Sequence, residues 1–203
     1  MCADYQYDVF ISYSRSRLLR DWVGNIFLEQ FNDRLSEELV KKSVRLFWDD
    51  QELEVVGARP QLEKALCTSR FLVAVWTPTY FVSSWCMAEW QTFLSRSQAV
   101  HCDPSELIGP IQWKDGDKYP PEANKAWPAD FHDYARTGDG FKKTEAYVKF
   151  QELVDKFAMA VAKKVQSVPP FKVGWPMLTP EDIEQGRGLV PLVGPAEIRR
   201  PVL

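Results

Sequence analysis

The sequence predicts an α/β fold, a three-layer sandwich whose central parallel sheet has about five strands with helices on both faces. Three observations predict it. Short β-rich apolar runs alternate with longer apolar stripes at helical spacing, the β-α-β-α order of a parallel sheet. One run, Phe71-Leu-Val-Ala-Val-Trp76, is apolar throughout, which suits a strand covered on both faces. With 45% hydrophobic residues in 203, the chain can bury one good-sized core, so a single globular domain is expected.

The elements follow in order. Tyr7 to Ser14 holds the first strand around Val9-Phe10-Ile11. From Leu18 to Lys42, Leu18, Trp22, Val23, Ile26, Phe27, Phe31, Leu35 and Leu39 form one helical stripe opposite a charged face. Val44-Arg-Leu-Phe-Trp48 reads as the second strand and ends in Asp49-Asp50. A polar loop from Gln51 to Arg59 contains Gly57, and Pro60 then opens a short helix with Leu62, Ala65 and Leu66 on one side. Phe71 to Trp76 is the third and most central strand, ended by Thr77-Pro78. Ser83-Ser84 offers an N-cap to a helix over Trp85 to Ser97 that packs through Cys86, Met87, Trp90, Phe93 and Leu94. Leu107 to Trp113 is a fourth strand. Lys114 to Phe141 is punctuated by Pro, Gly and Asp yet holds Tyr119, Trp127, Phe131 and Tyr134, so it reads as an ordered excursion with a short edge strand. Thr144 to Gln166 is a helix with the stripe Tyr147, Phe150, Val154, Phe157, Ala158, Val161 and Val165.

Beyond Ser167 the composition changes. Seven of the fourteen prolines and four of the ten glycines fall there, so residues 169–203 read as a tail or linker without helix. Its start, Pro-Pro-Phe-Lys-Val-Gly-Trp-Pro, carries apolar anchors able to pack on the domain of residues 1–168, and the tail would otherwise lead to a sensor module.

Charge and composition exclude several function classes. A net charge of -3 argues against a nucleic-acid-coating protein. The first residues lack the charged and apolar regions of a secretory signal, and no apolar run approaches the roughly 20 residues of a membrane span. Cys2, Cys67, Cys86 and Cys102 form no CxxC pair, so reduced thiols in a cytoplasmic protein are expected. Phosphate-loop and dinucleotide fingerprints and a G-x-S-x-G elbow are absent from the sequence. His101 and His132 are isolated, so no metal site is expected.

In a parallel sheet, ligands sit beyond the carboxyl ends of the strands. That directs attention to Ser14-Arg-Ser-Arg17, Asp49-Asp50, Thr77 to Tyr80, and the helix start from Trp85 to Glu89. Trp85 and Glu89 are four apart, hence neighbours on one helix face. The pattern leaves two readings of Glu89: a carboxylate that faces developing positive charge at a cleft edge, or, more commonly, an acid that merely favours the helix N-terminal dipole. Cys86, on the apolar side, reads as a buried structural thiol. Arg15 and Arg17 suit either a bound phosphate or solvent.

From Tyr5 to Val168 these motifs together resemble the Toll/interleukin-1 receptor (TIR) domain family. Tyr7-Asp-Val-Phe-Ile-Ser-Tyr-Ser14 is similar to its first strand, and Phe47-Trp-Asp-Asp50 with the following loop is similar to its second strand and BB loop. Ala65 to Trp90, with its strand, Ser-rich bend and W-C-x-x-E, is the most specific segment and resembles the plant and bacterial branches. The resemblance implies a flavodoxin-like three-layer sandwich. It also implies an NAD+ nucleosidase or ADP-ribosyl cyclase type of hydrolase that cleaves the nicotinamide-ribose bond, with Glu89 as the catalytic carboxylate. Tyr13, Ser14, Arg15, Asp49 and Trp85 would line the substrate pocket, with NAD as substrate and no other cofactor. It further implies self-association through the BB loop, Gln51 to Pro60, as the switch of a defence or cell-death effector. That loop lacks the compact Pro-Gly pair of animal adaptor members. The competing expectations are a non-enzymatic TIR-TIR scaffold and a flavodoxin-like phosphate binder using Arg15 and Arg17.

Overall fold

The computed structural model describes residues 4–40, 44–48, 58–114, 116–120, 123 and 128–190. Five parallel strands form one sheet in the order β2-β1-β3-β4-β5. They are β1 (Tyr7–Tyr13), β2 (Leu46–Trp48), β3 (Ser69–Trp76), β4 (Ile108–Gln112) and β5 (Ala129–Asp130). β1 pairs with β3 from Tyr7↔Ser69 to Tyr13↔Val75 and with β2 from Val9↔Leu46 to Ile11↔Trp48. β5, the expected edge strand, reaches only Ile111 and Gln112, so Pro110, which lacks an N–H, precedes that ladder.

Alternation along β1 and β3 supplies two cores from the same strands. Val9, Ile11, Tyr13, Phe71, Val73 and Val75 face one way, against α1 (Arg17–Trp22), α2 (Leu28–Glu38) and α5 (Glu145–Ser167). Phe10, Leu72, Ala74 and Trp76 face the other way, against α3 (Ala58–Thr68) and α4 (Ser84–Ala99). Helices therefore cover both faces, as the doubly apolar strands require.

Three differences from the sequence reading have physical causes. The helix expected as one piece from Leu18 to Lys42 is broken by a π-helical segment, Val23–Phe27, between α1 and α2. A π turn brings residues five apart into register, and Trp22 stacks on Phe27 with centroids 5.2 Å apart and planes 12° apart. Gly24 in this segment leaves room for the Trp48 ring, since a Cβ there would lie 3.0 Å from it. The helix then ends at Glu38 rather than Lys42, with Val40 in the left-handed region at φ 51°. Finally, the tail contains a short helix, α6 (Pro180–Glu184), where none was expected. Its signal is the capping box of Thr179 and Asp182, with Pro180 in the first turn, a local code that periodicity cannot reveal in five residues.

Residues 169–190 lie against the domain. The Tyr5 hydroxyl donates to the Pro169 carbonyl at 3.0 Å, and the Phe171 ring meets Tyr5 edge-on. Further along, Trp175 and Leu178 are buried, and α6 packs on α4. Cys67, Cys86 and Cys102 are free thiols. No described helix is long and apolar enough to cross a membrane.

Candidate active site

Because β2 and β3 flank β1, the chain leaves β1 toward one face and β3 toward the other, and the sheet's topological switch point lies between them. Beyond the carboxyl ends of β1 and β3, α4 begins. The Ser83 hydroxyl caps it by accepting the Cys86 N–H. One turn into α4, Glu89 turns inward and is 7% exposed.

Its carboxylate accepts a hydrogen bond from the Ser12 hydroxyl of β1 at 2.5 Å, and Ser12 meets the Tyr80 hydroxyl at 2.9 Å. Ser12 has one proton and commits it to Glu89, so Tyr80 donates to Ser12 and a directed chain runs Tyr80 to Ser12 to Glu89. Burial, with the Glu89 charge adding to it, holds the Tyr80 phenol far above its ordinary pKa, which keeps it a donor. The chain fixes one carboxylate oxygen in place.

Ser12 escaped the sequence reading, and Tyr80 entered it only as the end of the Thr77 to Tyr80 stretch, with no role given. β1 is apolar on both faces, so no hydrophobic alternation marks its parity. The usable signal was a hydroxyl inside an apolar strand, since a polar side chain buried in a sheet needs a partner. Strand alternation then turns Tyr13 away from Glu89 into the opposite core, where it is 6% exposed. Ser14 stays near the site, with its hydroxyl 2.9 Å from that of Thr77 and 2.8 Å from that of Thr79. Arg15 is exposed, and its positive charge reaches Cys86. Asp49, and the BB loop through Gly57, lie outside the described residues.

Trp85 and Glu89 do share one face of α4, as their spacing predicts, and line one crevice between α3 and α4. The Arg59 guanidinium lies 5.5 Å over the Trp85 ring. Cys86 is buried beside them. Burial, then the Glu89 charge, pushes its thiol far above the ordinary range, so it is an inert structural thiol. Among the described residues no cluster of three or more His, Cys, Asp and Glu side chains is placed to hold a metal.

The crevice is closed in this conformation. Among the described residues, Leu178, Thr179 and Pro180 of the tail complete its lining, and the space holds about one water molecule. Small-molecule pockets begin at roughly 300 Å³.

A family model described as TIR domain matches residues 9–144, the span that carries Ser12, Tyr80, Trp85 and Glu89 but neither α5 nor the tail. The NAD(+) hydrolase TirS of Staphylococcus aureus (strain MSSA476) is 27% identical over 92 residues, 45% of this chain and 29% of that protein. TMV resistance protein N of Nicotiana glutinosa is 33% identical over 86 residues, 42% of this chain and 7% of that protein. The chain thus spans less than a third of either relative. The TIR domains of the activated Roq1 resistosome, which directly recognises the pathogen effector XopQ, are 21% identical, with a TM-score of 0.37 over 79% of this chain and 84% of that one.

Proposed function

This chain belongs to the TIR domain family, and from that premise we propose that it is an NAD+ glycohydrolase with Glu89 as its catalytic carboxylate. The observation that carries the reading is the buried Glu89 carboxylate, oriented by Ser12 and Tyr80 at the switch point of the sheet. Similarity to a protein named NAD(+) hydrolase supports it.

The chemistry needs one carboxylate. Nicotinamide in NAD+ already bears the positive charge that makes it a good leaving group, so no general acid is required, unlike at an ordinary glycosidic bond. The C1′–N1 bond breaks, its electron pair goes to nicotinamide, and positive charge grows on the ribose ring. Glu89 holds the ribose hydroxyls and stabilises that charge, and its orientation by Ser12 is in place before reaction. Water then adds to C1′ and loses a proton, giving ADP-ribose. If a nucleophilic nitrogen of the same molecule adds instead, the product is a cyclic ADP-ribose isomer. Trp85 lines the same crevice as Glu89, and Ser14, Arg15 and Asp49 are assigned to the pocket by family position. The wider role is an oligomerisation-activated effector of immunity or antiviral defence in the cytoplasm. It would self-associate with other TIR domains through the BB loop and be triggered by a sensor.

Incubating the full chain with NAD at high protein concentration, with Glu89→Ala and Glu89→Gln in parallel, tests the reading. Nicotinamide release by the parent chain and a loss of about a hundredfold or more in both variants are expected. Equal NAD consumption by the variants would refute the assignment. The closed crevice favours a second reading, a non-enzymatic TIR-TIR scaffold. That reading predicts self-association with no nicotinamide release.

A further inference from the structure

The wall that closes the Glu89 crevice is a segment outside the span the family model matches. Residues 175–190 cross α4 and are held along a polar seam. The Leu178 N–H donates to the Thr92 hydroxyl at 2.9 Å. The Gln91 side chain brackets Val190, accepting its N–H at 2.9 Å and donating to its carbonyl at 3.2 Å. Glu181 takes the Arg59 guanidinium in a two-point contact, both bonds 2.8 Å.

We infer that residues 175–190 are a strap that occludes the candidate active site, and that release of this strap is the step that admits a nucleotide to Glu89. The activity part of this inference rests on the hydrolase reading; the occlusion part stands without it.

The seam is built to open. Gln91 and Thr92 are buried at 3% and 0% although they sit on the outer side of α4, and the partners shown for them belong to the strap backbone. When the strap lifts, water takes over those hydrogen bonds, and no buried donor is orphaned. The apolar part is five side chains: Leu178 and Pro180 line the crevice, Trp175 lies beside Arg96, and Met177 and Val190 pack on the core of that face. Glycines in the left-handed region bound the strap, with Gly174 at φ 81° before it and Gly186 and Gly188 at 64° and 65° within it. A Cβ at Gly174 or Gly186 would meet nothing within 4 Å, so these positions are free to turn as hinges. Upstream, Tyr5 keeps residues 169–171 anchored, so only the distal part need swing. A dinucleotide that binds only the open form draws the equilibrium toward it, and a closed strap lowers apparent affinity by the fraction of chains that are closed.

The test is a full-length double variant, Leu178→Asp with Glu181→Arg, which puts a carboxylate into the apolar seal and opposes like charges at Arg59. Three quantities are read beside the parent: amide exchange at positions 178 and 190 against β3, coupling of the Glu89 carboxyl to an amine by carbodiimide with peptide mass spectrometry, and NAD consumption. The expected result is loss of protection at 178 and 190 with β3 unchanged, and labelling of Glu89 and NAD consumption each up about tenfold or more. Unchanged Glu89 labelling overturns the inference, whether or not the two amides stay protected. Faster labelling with no NAD consumed upholds the strap and defeats the hydrolase reading. Equal, Glu89-dependent consumption by both chains does the reverse. Should the variant lose β3 protection as well, exchange in the unmodified chain decides. Leu178 and Val190 must open together and before β3, and exchange only with β3 overturns the strap.

Discussion

The two faces of the sheet are built from the same strands and are not alike. On the face under α1, α2 and α5, Trp22, Phe27, Phe31, Phe131, Phe150 and Phe157 form a continuous ring cluster with centroids about 5 to 6 Å apart. On the face under α3 and α4, the buried set includes Ser12, Cys86, Glu89, Gln91, Thr92 and Arg96. Arg96 is 2% exposed and donates to the Leu66 and Ser69 carbonyls, while burial lowers its pKa to about 10. The first face contributes stability through close packing. The second accepts the desolvation of polar groups and holds each in a hydrogen bond, which gives it a defined geometry. One sheet can thus separate holding the fold from holding a site.

Four experiments sharpen or break this contrast. Phe150→Ala, in the middle of the ring cluster, should cost about 3–5 kcal/mol of stability by urea denaturation. A cost below about 1 kcal/mol would mean that face is not the stabilising one. On the other face, Glu89→Gln should reduce nicotinamide release by about a hundredfold or more, with a melting temperature within about 5 °C of the parent. A large loss of stability in that variant would move Glu89 to the structural side of the comparison.

A smaller effect is expected one step from the carboxylate. Ser12→Ala should lower kcat about tenfold and leave KM nearly unchanged, because it loosens Glu89 without removing a ligand contact, and Ser12→Thr should recover part of the loss. Tyr80→Phe should act in the same direction more weakly. Equal kcat and KM losses for Ser12→Ala would instead place Ser12 against the substrate.

The smallest effect is in acid. The Arg59 contact holds the Glu181 carboxyl down to about 2, and the Thr179 N–H holds Asp182 below its ordinary value. Both folded values are depressed, so their contribution to docking of the tail is complete above the unfolded carboxylate range near 4. It is lost as pH falls from there toward 2. Arg59, shared with Glu63, faces Glu181, and Arg187 faces Asp182. Amide exchange at Leu178 and Val190 should therefore accelerate below about pH 4 before exchange in β3 does. Protection that stays level with β3 down to pH 2 would count against the ion pair as a fastener.

How much of this was legible in the sequence differs by element. β3, the Ser83 cap and the Glu145–Ser167 helix each carry strong local signals: an unbroken apolar run, a capping residue and a long stripe. The Trp85–Glu89 spacing placed both side chains on one face before any coordinates were needed. The π segment was hidden because Trp22, Val23, Ile26 and Phe27 fit a helical stripe almost as well with an extra residue as without one, and Leu18, read into that stripe, is exposed while Leu19 is buried in its place.

The sequence by itself determined the layer order, the parallel sheet and the helix that presents Glu89, because apolar periodicity and caps are local and the strands' own patterns require cover on both faces. Only the tertiary structure decided which strand residue meets Glu89 and what closes the crevice. Ser12 rather than Tyr13 faces Glu89 because register and pleat direction are fixed by pairing with β3, not by residue type. The tail finds α4 through hydrogen bonds between residues 86 and 99 positions apart, contacts that leave no period in the chain.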